Sequence, residues 1–412
     1  MDSVTTSSTR QMSALRQIWS SPLYRGATIA MFLSGLGTSA AAPQIVLFLV
    51  KELGASLPLA GLFYLSSLAA PIAGYAVGSY SDRTGGRLGL FRLCALAGFV
   101  GWAGIAVSTQ IWMPFVISTL VLGFSGAAAS QVFAALHDDL SKRPSPSNET
   151  IVAIVRMALT AGWVIGPVVG AWIAAAIGLR PLLWVTAICF LVQIVPLGTL
   201  NVSAAPKATA QPGSDVGEQT PGWRPMLPLL AFTGLFILVY VGESIKYGFL
   251  LLHMEDNLKL DAGARGAVIG IQPLIELIIM PFSILFARKL GVFRLMAVAA
   301  LCGVVANICF AAWGSAAGMF AGQILMGGVW GVFAALGIIV AQRLLPQAVA
   351  TASAIFMSSS ALSSALGGIT GGLGVAWIGL PQVFYLPAIF SGIAAIGLLV
   401  MANTDRLSSP RL

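Results

Sequence analysis

Ionisable side chains lie deep inside stretches of sequence that are otherwise apolar. Glu276 falls about 12 residues into one stretch, roughly 18 Å from its start at the rise of a helix, and Gln272 lies one turn before it. Glu243 and Lys246 are three residues apart in another stretch. Ionisable groups inside a bilayer are costly, and they usually mark substrate pathways, ion pathways or proton relays.

Twelve apolar stretches of membrane-spanning length must position these groups. The chain is 58% hydrophobic and 9% charged, with a mean hydropathy of +0.91. A soluble domain carries about 25% charged residues, and a hydrocarbon core about 30 Å thick needs about 20 apolar residues per helix. The stretches are too long for strands and lack alternation, so the sequence predicts an all-α polytopic membrane protein. The predicted spans are 27–50, 57–80, 89–108, 111–136, 150–176, 181–200, 226–252, 264–287, 292–313, 316–342, 350–377 and 383–402.

The net charge of +8 reports topology rather than a nucleic-acid partner. With a cytoplasmic N-terminus, 16 of the 22 Lys and Arg residues fall on the cytoplasmic side, four on the other side and two within spans. This asymmetry follows the positive-inside rule. We therefore expect a multi-pass protein of the cell (inner) membrane with both termini in the cytoplasm and no apolar signal segment before the first span.

A Pro- and Ser-rich segment divides the spans into six and six. The predicted domains are a cytoplasmic tail (1–24), a six-helix bundle (25–200), a cytoplasmic linker (201–224), a second six-helix bundle (225–402) and a cytoplasmic tail (403–412).

The two halves also resemble each other in sequence. Gly89–Leu93 opens the third span and recurs 202 residues later as Gly291–Leu295, and Gly166 and Gly170 recur 201 residues later. Two matches at nearly the same offset indicate a duplication. Repeated six-helix halves around a mid-membrane site are typical of alternating-access transporters.

The loop between the second and third spans contains Gly78, Asp82, Arg83, Gly85 and Arg87. Glycine permits a tight turn, and the acidic and basic groups offer a charge cluster that can act as a cytoplasmic gate. An ordinary basic turn is the alternative interpretation.

The fifth span contains Gly162, Gly166, Pro167 and Gly170. Small residues four apart let membrane helices approach closely, and proline bends a helix. Generic helix packing is the alternative to a specific functional motif.

The loop between the second and third spans resembles the signature of the major facilitator superfamily. The resemblance implies that the loop stabilises an outward-facing state, with Asp82 near the start of the eleventh helix and with Arg83 and Arg87 in support. A helix N-terminus would favour such a carboxylate. The fifth-span pattern resembles the antiporter motif of exporters in this superfamily, which favours efflux over uptake.

A narrower resemblance, to the bacterial sugar efflux transporters, covers most of the chain. The matching segments are Ala42-Pro43-Gln44, Leu47-Phe48-Leu49, Gly61-Leu62-Phe63-Tyr64, Ser81-Asp82, Arg156, Trp163-Val164-Ile165-Gly166-Pro167, Glu276 and Pro281. The resemblance implies proton-driven export of sugars and galactoside-like molecules. Glu243 and Lys246 depart from the family pattern, so the substrate can differ.

Glu276 and Glu243 are the predicted proton-coupling residues. Removal of a carboxyl group from water favours its protonated form, so Glu276 can carry a proton or hydrogen-bond sugar hydroxyls, and a structural acid is the alternative. Glu243 and Lys246 form either a neutralising internal ion pair or a substrate and proton site.

Polar side chains within the spans are the candidate substrate ligands. They are Gln44, Gln131, Arg156, Tyr240, Lys246, Gln272, Asn307 and Gln323. Each uncharged member can equally bridge two helices, and Arg156 can extend to the lipid headgroups instead.

The sequence gives little support for a metal site or for catalysis. His137, Asp138 and Asp139 end the fourth span and predict a solvated helix end rather than a metal site. The sequence contains no catalytic constellation and no P-loop pattern, so we expect a carrier and not an enzyme, with no cofactor and no metal.

The sequence thus predicts a twelve-helix, monomeric carrier in the lipid bilayer that exports small sugars or glycosides by proton antiport through alternating access. A multidrug exporter of the same fold is the first alternative, and a membrane sensor or channel is the second. The 6 + 6 repeat argues against the second.

Overall fold

A computed structural model describes residues 15–143, 145, 147–198, 200, 202 and 223–408, and these residues contain no strand. Twelve of the described helices are long and apolar enough to cross a membrane, as the sequence predicts. In chain order, α1 to α12 are Pro22–Lys51, Leu57–Thr84, Arg87–Ala106, Trp112–Lys142, Asn148–Ile177, Leu179–Leu197, Arg224–Asn257, Ala262–Leu290, Val292–Ala312, Ala316–Leu344, Thr351–Ile378 and Gln382–Thr404. Most of the predicted linker 201–224, and parts of both predicted tails, lie outside the described residues.

Several helices extend beyond the apolar stretches that predict them. The fourth span is predicted at 111–136, whereas α4 continues to Lys142. Hydropathy detects only the apolar part of a helix, while backbone hydrogen bonding continues into the polar end. The extra turns of α4 carry Asp138 and Asp139, which contact other helices as described below.

The membrane helices are interrupted by short non-α segments. α1 contains a 3-10 turn at Ala42–Gln44, which includes Pro43. A wider π-helical turn occurs at Ser118–Leu122 in α4 and another at His253–Asn257 in α7. Proline removes a backbone donor, and π turns interrupt the regular i to i−4 pattern, so these helices are not straight rods.

The described residues fall into two compact units. Unit one lies within Met1–Gln44 and Leu68–Ala210, and unit two lies within Ile45–Ser67 and Gln211–Leu412. Within unit two, the end of α1 and the start of α2 pack against α7 and α11. The division into sequence-contiguous bundles at 25–200 and 225–402 stays a prediction.

In unit one, α5 packs directly on α1 through glycines. A Cβ atom at Gly166 would lie 2.7 Å from the carbonyl oxygen of Leu36 and closer still to Oγ of Ser39. Ser39 Oγ donates a hydrogen bond to the carbonyl of Gly162 (3.0 Å), and Gly170 faces the backbone of Ala40. The fifth-span pattern is therefore a close-packing surface, whatever further role it has.

Unit two repeats this packing between α7 and α11. Gly367 lies against the carbonyl of Val241, and Gly371 lies against Ile245 and Phe249. These glycines are the counterparts of Gly166 and Gly170 in the sequence repeat, so equivalent residues make equivalent helix contacts in the two units.

The surface of both units carries many large apolar side chains. Trp377 is 81% exposed, Tyr75 79% and Ile72 74%. A soluble protein rarely exposes such extended apolar surface. Together with the length of the helices, this surface defines a protein that is solvated by lipid.

We expect Gly166→Ala to destabilise the protein, because the new methyl group would overlap the backbone of α1. Overpacking of this kind costs about 1–3 kcal/mol. Thermal unfolding in detergent measures the effect. Gly74→Ala is the matched control, since a Cβ atom there would meet nothing within 4 Å; equal melting of the two variants would contradict the packing interpretation.

Candidate functional site

A buried ion pair occupies the middle of α7 in unit two. Lys246 Nζ lies 2.7 Å from Glu243 Oε1, and only 1% of the Lys246 side chain and 9% of the Glu243 side chain are exposed. The pair occupies adjacent turns of one helix, as the i, i+3 spacing predicts. The structure therefore shows the two side chains as a buried ion pair, and the proton-coupling role of Glu243 and the substrate-binding role of Lys246 stay predictions.

Two further helices complete the hydrogen bonding of Glu243. Gln272 Nε2 of α8 donates to Oε1 (3.1 Å), and Trp330 Nε1 of α10 donates to Oε2 (2.8 Å). The side-chain oxygen of Gln272 accepts a hydrogen bond from Lys246. Both charges thus have several partners, which a buried ion pair requires if desolvation is not to exceed the Coulombic gain.

Close packing of α8 and α10 brings Trp330 to this site. Gly327 lies against the Gln272 carbonyl and Ile275, and Gly331 lies against Ile279 and the Glu276 carbonyl. A larger residue at either glycine would separate the helices. The intervening Trp330 can therefore reach across to Glu243 on α7.

Glu276 differs from the pair in having no hydrogen bond or salt bridge among the described residues. It is half-buried, one turn beyond Gln272 on the same face of α8. Its carboxylate interacts electrostatically with both Glu243 and Lys246. The structure thus places two carboxylates and one ammonium group in a single cluster, which we call the charge cluster.

An aromatic wall adjoins the charge cluster. The rings of Tyr240 and Trp330 meet edge to face at 4.7 Å between centroids, and Phe236 packs against both. Phe236 also contacts Phe333 and, at 4.6 Å, Phe356. Faces and edges of aromatic rings suit both the apolar face of a sugar and a lipophilic molecule.

Unpaired polar atoms occur elsewhere in unit two. Both side-chain amide atoms of Gln323 are buried with no hydrogen-bond partner among the described residues, as are Asn307 Oδ1 and the Tyr64 hydroxyl. Asn307 Nδ2 donates to the Gly303 carbonyl within its own helix (2.8 Å). Because buried polar groups are nearly always hydrogen-bonded, these atoms are candidates to bind a polar ligand.

The remaining predicted ligands lie in unit one. Gln44 is buried, and its Oε1 has no hydrogen-bond partner in the part of the chain that the structure describes. Arg156 is exposed on α5, with its guanidinium carbon 6.0 Å from the centroid of the Phe133 ring. Gln131 accepts a hydrogen bond from Ser81 Oγ (2.5 Å), so its carbonyl oxygen serves helix packing. The substrate-binding roles of all these residues stay predictions.

The loop between α2 and α3 forms a charge network around Arg87. Its Nη1 lies 2.6 Å from Asp82 Oδ1 and donates to Ser81 Oγ (2.8 Å), while its Nε lies 3.0 Å from Asp138 Oδ2. Gly85 turns the chain with φ at +69°, a conformation that glycine adopts without strain. The turn places Arg87 against both carboxylates.

Two gate candidates do not join this network. Arg83 is exposed and has no hydrogen bond or ion pair among the described residues. A Cβ atom at Gly78 would meet nothing within 4 Å, so no close contact in the described structure requires glycine there. The gating roles of Asp82, Arg83 and the loop glycines stay predictions.

The expected solvated end of the fourth span is wrong for Asp138, while His137 is exposed and Asp139 is half-buried. Asp138 is buried and paired with Arg87, and Asp139 accepts a hydrogen bond from the Tyr24 hydroxyl of α1 (2.8 Å). The described residues hold no cluster that could bind a metal ion. These carboxylates connect α4 to α1 and α3 instead.

From the sequence, Trp330 is a ring that can stack on a sugar or pack within the span, and its hydrogen bond to Glu243 is not predicted. The pairing of Asp138 with Arg87 is not predicted either. Tryptophan in a span most often packs or anchors at the interface, and a carboxylate at a helix end is most often solvated. The i, i+4 glycines around Trp330 were the available signal for close approach to another helix. No local signal pairs Asp138 with Arg87, because 51 residues separate them in the chain.

Twelve apolar helices, buried charges at mid-span and the repeated packing of α5 and α11 define a polytopic membrane transporter. The sequence profile of the Major Facilitator Superfamily matches residues 27–244, which is more than half of the chain. The chain belongs to the Major Facilitator Superfamily and is a membrane transporter, not an enzyme.

Individual relatives refine this classification. A putative sugar efflux transporter of Deinococcus radiodurans is 29% identical over 384 residues, which cover 92% of this chain and 97% of that protein. The multidrug resistance protein MdtG of Proteus mirabilis is 28% identical over 265 residues, or 60% of this chain and 62% of that protein.

A solved structure supports the fold independently. The crystal structure of the nucleoside transporter NupG has a TM-score of 0.74 at 16% identity, covering 93% of this chain and 99% of that chain. At this level of identity the similarity establishes the common fold alone.

We expect Asp138→Asn to lower thermal stability more than Asp82→Asn. Both carboxylates bind Arg87, but the Asp138 side chain is 8% exposed and that of Asp82 is 70% exposed. Removing one member of a buried pair costs about 3–5 kcal/mol at most, whereas an exposed pair contributes about 0–1 kcal/mol. Melting curves in detergent compare the variants, and a larger loss for Asp82→Asn would refute the ranking.

Proposed function

We propose that this protein exports small sugars or glycosides in exchange for protons, by alternating access. The observation that carries the proposal is the charge cluster, in which Glu243 and Lys246 are paired and Glu276 is unpaired. With all three groups ionised the cluster has a net charge of −1, and one proton on Glu276 makes it neutral. A low-dielectric site favours the neutral state.

The charge cluster supplies a mechanism that couples proton binding to sugar binding. When Glu276 is deprotonated, its charge draws Lys246 away from Glu243, which changes the hydrogen bonds of Gln272 and Trp330 as well. When Glu276 is protonated, it can donate to a sugar hydroxyl, while Lys246 stays with Glu243. Proton binding and sugar binding therefore act on the same side chains, which thermodynamic linkage requires for coupling.

The relatives support sugar as the substrate class. The matching protein of Deinococcus radiodurans is named a sugar efflux transporter. Gln272 and Gln323 offer amide groups for hydroxyls, and Tyr240 and Trp330 offer rings for the apolar face of a pyranose. Outward direction is proposed from the antiporter-like pattern at Gly162, Gly166, Pro167 and Gly170 in α5.

The remaining assignments follow from the same proposal. The protein acts as a monomer in the inner membrane, with both termini in the cytoplasm and the α2–α3 loop as a cytoplasmic gate. The distribution of Lys and Arg supports this orientation.

We expect Glu276→Gln to abolish sugar accumulation driven by a pH gradient in proteoliposomes, while exchange of labelled for unlabelled sugar continues. Glutamine keeps the hydrogen bonding of the carboxyl group but carries no exchangeable proton. Labelled lactose and arabinose report the flux, with and without a protonophore. Glu149→Gln changes an exposed carboxylate at the start of α5 and serves as the control; full gradient-driven transport by Glu276→Gln would exclude the proton-carrying role.

We expect Lys246→Met to destabilise the protein more than Glu243→Gln combined with Lys246→Met. The single change leaves the Glu243 carboxylate buried without a countercharge, a cost of about 3–5 kcal/mol, whereas the double change removes both charges. Thermal unfolding measures stability, and flux of the same sugars measures function. A stable double variant with wild-type transport would make the ion pair purely structural.

A multidrug exporter is the second candidate, and the aromatic wall favours it. Phe236, Trp330, Phe333 and Phe356 are buried against one another, while Tyr240 is half-buried and offers a ring that suits a lipophilic cation. The relative MdtG is named a multidrug resistance protein. A flux panel of sugars and lipophilic cations distinguishes the two. Transport of cations without transport of either sugar would favour the second candidate.

A further inference from the structure

Unit one has an apolar groove between α2 and α3. Its volume is about 560 Å³, and it is lined by one face of α2 and one face of α3, with α4 as its floor. The lining includes Ala76 and Tyr80 of α2, Leu93 and Ala97 of α3, and Phe124 of α4. We call this cavity the α2–α3 groove.

Helix packing explains the groove. Both α2 and α3 pack mainly against α4 and make few contacts with each other. Alanines at positions 76 and 97 leave space that larger side chains would fill. Tyr80 is 58% exposed and Leu93 is 62% exposed, so the groove is open along its length.

A free cation lies at one end of the groove. Arg83 follows Tyr80 by three residues and Ala76 by seven, so all three share one face of α2. Arg83 is exposed and has no partner among the described residues. Asp82 projects to a different side of the helix, where Arg87 binds it.

We propose that the α2–α3 groove binds one acyl chain of an acidic phospholipid, with Arg83 holding its phosphate and Tyr80 at the level of the headgroup. The apolar lining excludes a polar solute and matches a hydrocarbon chain. Arginine binds phosphate through two parallel hydrogen bonds, and tyrosine favours the boundary between hydrocarbon and headgroups. The site is independent of what the protein transports.

Charge complementarity indicates which class of lipid binds in the α2–α3 groove. A zwitterionic lipid gains less from Arg83, because its own cation is the alternative partner of its phosphate. The attraction of one basic residue for an anionic lipid surface corresponds to about a five-fold preference. The ligand is therefore an acidic lipid of the leaflet on the side of the α2–α3 loop.

Native mass spectrometry tests this site on the full-length protein. Protein purified in an equimolar mixture of phosphatidylglycerol and phosphatidylcholine should retain phosphatidylglycerol about five-fold in preference. Arg83→Gln should reduce this preference to about one-fold without loss of total bound lipid. Ala97→Phe, which fills the groove, should reduce retention of both lipids.

Two matched variants control for general effects. Arg288→Gln removes an exposed cation at the end of α8, the counterpart of α2 in the repeat, and Val107→Phe adds the same ring beyond the other end of α3. Both should retain lipid as the wild type does, with thermal unfolding as a check of folding. Equal losses for Arg83→Gln and Arg288→Gln, or normal retention by folded Ala97→Phe, would overturn the proposal.

Discussion

Close approach of helix backbones is the constraint on which the rest of this structure depends. Within hydrocarbon, apolar side chains gain nothing by leaving lipid for protein, so helix association relies on van der Waals fit and hydrogen bonds. Gly166 brings α5 onto α1, Gly367 brings α11 onto α7, and Gly327 and Gly331 bring α10 onto α8. Without these contacts the polar side chains between the helices would have no fixed partners.

The buried charges depend directly on that packing. Lys246 is almost completely buried and relies on Glu243 and Gln272 for its hydrogen bonds, while Trp330 binds the second carboxylate oxygen. Gln272 and Trp330, from two further helices, thus stabilise the ion pair on α7. Glu276, on the same face of α8 as Gln272, has no such hydrogen bond or salt bridge among the described residues.

The network around Arg87 and the charge cluster around Lys246 both depend on electrostatic attraction, but they differ in their exposure to water. Around Arg87, an exposed and a buried carboxylate share one guanidinium at the end of the helices, where water screens part of the interaction. Around Lys246, the charges lie at mid-span, where little screening is available. Electrostatic interactions in the first network are therefore weakened by water, whereas those in the second act in a medium of low local dielectric and are stronger.

Composition and periodicity by themselves determined the twelve membrane-spanning helices, because a helix satisfies all of its backbone hydrogen bonds within one apolar segment. They also located Glu243, Lys246, Gln272 and Glu276, since a charge or amide in an apolar stretch is conspicuous. Only the tertiary structure decided which groups are paired. The bond from Trp330 to Glu243 spans 87 residues and that from Arg87 to Asp138 spans 51, and such contacts depend on helix packing that no local pattern encodes.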